Sequence, residues 1–161
     1  MAWYLLGSQC LIDIAKRIDL PPERWLAAAG ERGIDGKEIY ISAVTPMILA
    51  SAFERAHQNA ALQALRENTE ILITRLARSG QVAPVTMDIA DRWGKLLKLT
   101  LEYIASPGHT KPYHDPERLV LATAIEGLLG RPFVLVEKRQ PAHGALASLG
   151  LVLEDPYELN A

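Results

Sequence analysis

The chain has 161 residues, of which 49% are hydrophobic and 22% charged, enough for one globular core and too few for two ordinary domains. A formal net charge of −2 and a pI near 6.1 exclude a general pull toward nucleic acid or anionic membrane, so any such surface must be a local patch. Cys10 is the one cysteine and cannot form an internal disulfide, no apolar run reaches the roughly 20 residues of a membrane span, and no basic leader with a small-residue cleavage site opens the chain. A cytoplasmic protein is expected.

Short apolar runs alternate with longer amphipathic stretches along the chain, the pattern of a mostly parallel sheet with helices on both faces. Trp3 to Leu6 reads as the first strand, and Gly7 suits a sharp exit into a helix capped by Ser8 and carrying Leu11, Ile12 and Ile14. Pro21-Pro22-Glu23 starts a second helix through Trp25, Leu26 and Ala29. Ile39 to Ser42 is the next strand, and Thr45-Pro46 opens a helix bearing Met47, Leu49, Ala50 and Phe53. The amphipathic segment Ala60 to Arg78 precedes a short strand, Gln81 to Pro84. From Thr86 a further helix is expected, with Ile89, Trp93, Leu96, Leu97, Leu101 and Ile104 at helical spacing. Ser106 to His114 contains two prolines and a glycine and reads as a surface loop. Pro116 restarts a helix to Leu129, and Gly130 ends it. Phe133 to Val136, a short helix around Gly144 to Leu149, and a strand Leu151 to Leu153 complete five strands. No internal repeat, low-complexity tract or dividing linker interrupts the pattern.

Four segments in this order resemble the motifs of a known family. Leu5-Leu6-Gly7-Ser8-Gln9 lies where PIN domains of the VapC and FitB toxin type have a strand ending in Asp-Thr-Asn. Ile41-Ser42-Ala43-Val44-Thr45-Pro46-Met47-Ile48-Leu49 is similar to their second motif. Leu119-Val120-Leu121-Ala122-Thr123-Ala124-Ile125-Glu126 resembles the third, and Phe133-Val134-Leu135-Val136-Glu137-Lys138-Arg139 the fourth. Pro84 to Leu97 also resembles the helix that follows the third strand in these toxins. The resemblance implies a three-layer α/β/α PIN-like fold over residues 1–161. It also implies Mg²⁺- or Mn²⁺-dependent ribonuclease chemistry, in which carboxylates hold a hard, octahedral cation whose bound water attacks a phosphodiester.

Carried over residue by residue, the family's acidic positions become Gly7, Ile48, Glu117 and Ala142, so Glu117 alone keeps a carboxylate. The threonine position of the fourth motif is Glu137, a second acid near the implied site. Two glutamates are a poor cage for Mg²⁺, and no cofactor is expected. On this reading, acids returned together at 7, 48 and 142 create metal binding. Packed carboxylates repel one another without a cation, so their loss also removes an electrostatic cost from the metal-free fold.

Outside those positions, His109, Lys111 and His114 surround Pro112-Tyr113 in the loop and are candidates for contact with RNA or a protein partner, against the ordinary reading of a mobile surface loop. Lys138 and Arg139, with Arg131 nearby in sequence, form a candidate phosphate-binding patch against the ordinary reading of a solvated strand end. His143 adjoins the lost fourth acid and could bind phosphate, against the ordinary reading of a half-exposed histidine. Cys10 is expected in the core.

Two readings stay open. The first is a pseudonuclease that uses its surfaces to pair with itself or to hold a partner, such as an antitoxin-like helix in its groove. The second is a divergent metal-dependent ribonuclease built on Glu117 and Glu137, with help from Asp115 or Asp13. A homodimer is expected under either, from the family resemblance and from Leu62, Leu65, Ile71, Leu72 and Leu76 on the long amphipathic segment.

Overall fold

The structure, a computed structural model, describes residues 2–158. Five strands form one sheet in the order β3-β2-β1-β6-β7: β1 (Trp3–Leu6), β2 (Ile39–Ser42), β3 (Val82–Ala83), β6 (Phe133–Val136) and β7 (Val152–Glu154). All four pairings are parallel, which requires a crossover between each pair and covers both faces with helices. A second, two-stranded sheet consists of β4 (Glu102–Ser106) and β5 (His109–Pro112).

Alternation along the strands divides the core into two layers. Trp3, Leu5, Phe133 and Leu135 face one side, against α5 (Met87–Leu96), α6 (Asp115–Glu126) and α7 (Pro141–Leu146). Leu6, Ile39, Ile41 and Val136 face the other, against α1 (Ser8–Ala15), α2 (Pro21–Ala29) and α4 (Ala60–Arg78). The third helix, α3 (Thr45–Arg55), spans the two layers, with Leu49 and Phe53 in the second and Ile48 packed on the first. Along α4, Leu62, Leu65, Leu72 and Leu76 pack against the second layer, and Ile71 is the one of the five apolar residues left outside, 49% exposed. The surplus apolar surface expected of this helix is thus mostly used within the chain.

The strands β1, β2 and β6 and the helix α4 have the expected bounds, while β3 is shorter and β7 is shifted one residue onward. The helix expected from Thr86 to Ile104 is different. Thr86 caps α5 by accepting from the Ile89 N–H, and α5 then stops at Leu96. Leu101 and Ile104 keep helical spacing, but Pro107-Gly108, with Gly108 at φ +77°, turns the chain back so that residues 102–106 pair with 109–112. The segment expected as a loop is therefore half of a β-ribbon. Short apolar runs satisfy both periodicities, and the turn decides between them.

Buried Arg118 fixes the root of this ribbon. Its guanidinium donates to the carbonyls of Leu96 (2.8 Å), Leu99 (2.7 Å) and Tyr113 (3.1 Å), which completes the C-terminal end of α5 with a cation where the helix dipole is negative. The Arg92–Glu126 pair (2.6 Å) and the Trp93 indole N–H to the Asp115 carbonyl (2.9 Å) tie α5 to α6. Arg118→Met removes the guanidinium from three carbonyls, of which Leu96 keeps the Leu99 N–H, while keeping the packing. It is expected to cost about 3 kcal/mol in urea unfolding, since hydrogen bonds to charged groups contribute roughly 1.5–3 kcal/mol each and water recovers part of the loss.

Candidate functional site

The C-terminal ends of β1 and β6 meet at one level, because Leu6 pairs with Val136 and the Gly7 N–H donates to the Val136 carbonyl at 2.9 Å. The next residues, Gly7 and Glu137, therefore sit side by side at the bottom of a cleft of about 440 Å³. Ile12 of α1 and Ile48, Leu49 and Ala52 of α3 line one wall. Tyr103, Ile104 and Ala105 of β4, with Tyr113, line the other, and Glu117 comes from the first turn of α6. A cleft at the C-terminal ends of parallel strands is where open α/β sheets place their ligands.

Gly7 has φ −70°, a conformation open to any residue, so its reason is space. A Cβ built there would lie 1.8 Å from Oε2 of Glu137 and 2.5 Å from its Cδ. The Glu137 carboxyl group thus occupies the volume into which a side chain at position 7 would project. It is held there by the Lys138 backbone N–H (3.0 Å), the Gln9 backbone N–H and the Cys10 thiol, whose sulfur lies 3.7 Å from Oε1. Cys10 is buried beneath it, as expected of a core cysteine, and burial beside Glu137 pushes its thiol pKa strongly upward.

Burial raises the Glu137 carboxyl pKa to about 7, with Glu117 adding repulsion and the Lys138, Cys10 and Gln9 hydrogen bonds opposing the rise. Burial also raises Glu117, which His114 partly offsets. Near neutral pH Glu137 therefore carries less than its full charge, and burial biases Glu117 in the same direction.

His143 is 3% exposed rather than half-exposed. Its Nδ1 accepts from the Gln140 backbone N–H (3.0 Å), which places the ring proton on Nε2, 3.5 Å from the Tyr113 hydroxyl. Burial, with Arg139 adding to it, lowers the His143 pKa to about 4, so the ring is neutral at pH 7. Accepting from His143 leaves the Tyr113 hydroxyl proton to point elsewhere, and Tyr113 lines the cleft.

The structure brings together Gly7, Ile48, Glu117, Glu137, Lys138 and His143 along this cleft and separates them from the remaining candidates. Ala142 is buried in the first turn of α7 and is not in the lining. His109 and Lys111 are exposed on β5, and His114 is exposed at the start of α6. Arg139 pairs with Glu158 at 3.0 Å and stays outside. Neither acid weighed as a helper reaches the cleft: Asp13 is bound by Lys16, Gln9 and the Tyr157 hydroxyl, and Asp115 is exposed. Asp155 accepts from the backbone N–H groups of Arg139 and Tyr157, both at 2.8 Å, and so holds the loop that follows Glu137. Tyr103 and Gln140 are not among the sequence candidates, and Tyr113 enters there only as the aromatic group of the candidate loop. Pro107-Gly108 between two β-prone runs was the signal that could have brought Tyr103 and Tyr113 to the site.

A Mg²⁺ ion needs several oxygens in octahedral array. Among the described residues no group of three His, Cys, Asp or Glu side chains could hold a metal ion, and Glu137 Oε1 already accepts from Cys10 and Lys138. The residues present do not fit the ion.

No family model and no curated protein matches the chain. Solved structures do. The chain is similar to the structure of FitAB bound to an IR36 DNA fragment, with a TM-score of 0.61 and 17% identity over 96% of this chain and 95% of that one. It is also similar to VapBC2 from Rickettsia felis bound to a DNA fragment from their promoter, with a TM-score of 0.58 and 16% identity over 94% and 97%. A third is VapBC-5 from Mycobacterium tuberculosis, a member of the VapBC family of toxin–antitoxin systems, with a TM-score of 0.56 and 17% identity over 96% and 98%. The fold is PIN-like. At such identities the likeness extends to the fold alone, and what this PIN-like cleft does rests on its own residues.

Two outcomes test the description of the cleft. Gly7→Ala is expected to destabilise by about 1 kcal/mol, since the far end of the Glu137 side chain must shift from its hydrogen bonds. In a Glu137→Ala background the same change should be neutral or slightly stabilising, so a double-mutant cycle in urea reads the coupling directly. The second concerns pH. A folded-state pKa raised above the unfolded value means that the native chain binds the extra proton, so stability is lost as pH rises from about 4.5 through about 7. Glu137→Gln removes that loss. Its unfolding free energy in urea should exceed the parent's at pH 8 by on the order of 1–3 kcal/mol and converge with it at pH 5.

Proposed function

We propose that this chain is a non-catalytic PIN-like module, related to the toxins of toxin–antitoxin pairs, whose cleft holds a segment of an antitoxin-like protein. The observation that carries this reading is the composition of the cleft. Isoleucine, leucine, alanine and tyrosine side chains make up most of the walls around two carboxyl groups that burial biases toward the neutral form. Such a surface suits the apolar face of an amphipathic segment and is ill-suited to concentrating dications. The similar structures support the same reading, since VapBC-5 is a member of a family of toxin–antitoxin systems.

Pairing of two copies belongs to the same proposal. Because α4 uses most of its apolar residues internally, its support comes instead from Met47, Val85 and Met87, exposed by 55%, 41% and 79% at the start of α3 and around the start of α5. Among the described residues no helix is long and apolar enough to cross a membrane.

The test is a nuclease assay. The purified protein is expected to leave RNA intact in Mg²⁺ or Mn²⁺. Restoring acids requires more than the three substitutions suggested by the sequence. An aspartate at position 7 must displace the Glu137 carboxyl group, and Ala142→Asp would bury an unpaired carboxylate in α7. The variant Gly7→Asp, Ile48→Glu, Glu137→Thr, which vacates the volume first, should bind Mn²⁺ at least ten-fold more tightly than the parent by calorimetry. Metal-dependent cleavage by the unmodified chain, abolished by Glu117→Gln, would overturn the proposal and establish a divergent ribonuclease built on Glu117 and Glu137.

A further inference from the structure

The β4–β5 ribbon pairs with no other strand among the described residues, and its two ends are held very differently. At the root, Leu101 is buried, the Tyr113 N–H donates to the Leu101 carbonyl at 2.9 Å, and Arg118 grips Leu96, Leu99 and Tyr113. Toward the tip, residues 104–112 are exposed, Ile104 by 52%. There, among the described residues, the hydrogen bond from the ribbon to the body is that of the Ile104 N–H to Oε1 of Gln140, at 2.8 Å. Yet Tyr103, Ile104 and Ala105 form a wall of the cleft. A wall with a pinned base, an exposed tip and one hydrogen bond across to the start of α7 has the construction of a latched flap.

The ladder itself is independent of the latch. The bond between Tyr113 and Leu101 makes residues 103 and 111 the next hydrogen-bonded pair, so the Ile104 N–H points away from β5. Pro112, which has no N–H, occupies an equally outward position opposite Glu102. The ribbon can therefore swing as a unit without losing its internal bonds, and it has little apolar surface at the tip to expose in doing so. Register shifts between Ile104 and Ser106, a bulge of the kind that bends a strand at its edge.

We propose that the β4–β5 ribbon is a flap over the PIN-like cleft, hinged at the root gripped by Arg118 and latched by the Ile104–Gln140 hydrogen bond, and that opening it admits whatever the cleft holds. The inference concerns access to the cleft and stands whether the occupant is a protein segment or a nucleic acid. Losing one hydrogen bond of this type shifts an equilibrium on the order of five-fold, which is enough to change an opening rate measurably.

The experiment places a reporter inside the cleft. In an Ile48→Cys background, the rate at which a bulky maleimide labels the thiol introduced at position 48 is followed by peptide mass spectrometry, which separates it from buried Cys10. Gln140→Met removes the acceptor and Ile104→Pro removes the donor from the opposite side without touching the ladder. Each should raise the rate about five-fold, the two together no further, and Gln140→Glu, which keeps an acceptor oxygen, should leave it near the parent value. If Gln140→Met unravels α7, seen as fast amide exchange at residues 141–146, the Ile104→Pro arm decides alone. Rates unchanged by Ile104→Pro, or effects that multiply in the double variant, would overturn the flap.

Discussion

The parallel pairing of β1 with β6 sets the level at which this molecule can do anything. Because Leu6 lies opposite Val136, the two chains leave the sheet together, and Gly7 and Glu137 emerge as neighbours. A shift of one residue in that register would exchange the faces of β6 and send Glu137 toward the opposite layer. The same pairing sends α1 away from one side and the α7 loop from the other, and α3 and α6 then enclose the space between. The cleft is thus a property of strand registry before it is a property of any side chain.

Within it, two titratable groups are buried with opposite consequences. Glu137 is more easily kept protonated than in water, and His143 more easily kept neutral. Desolvation is the leading cause for both, so each avoids charge rather than pairing it. Their pH responses oppose one another. Below about pH 6.5 the unfolded chain would protonate its histidine before the native one does, which erodes stability toward acid, whereas Glu137 erodes it toward base. An apolar cleft that suppresses both charges differs physically from a metal-binding site, where like charges are gathered and a cation neutralises them.

Much of the architecture was legible in the sequence. β1, β2 and β6 are consecutive β-prone residues between strong punctuation, and α4 is an uninterrupted amphipathic segment, so local propensity and tertiary packing agree there. The stretch after Leu96 departs from the expected helix because Leu101 and Ile104 satisfy a helical period as well as a strand, and the Pro107-Gly108 turn, which folds residues 102–106 onto 109–112, decides between them. The site was legible in part. Glu117, Glu137, Ile48 and Gly7 line the cleft, but Ala142 lies in the packed first turn of α7. Tyr103 is not legible as a site residue, and Tyr113 only as part of a contact loop, because both reach the cleft through the ribbon. His143 was judged half-exposed since nothing in the linear chain announces that Gln140 and Tyr113 enclose it.

The shared volume of Gly7 and Glu137 also constrains the history open to the chain. A side chain at position 7 must displace the far end of Glu137 from its hydrogen bonds, so what position 7 accepts depends on what occupies position 137. The two positions are therefore coupled although they lie near opposite ends of the chain.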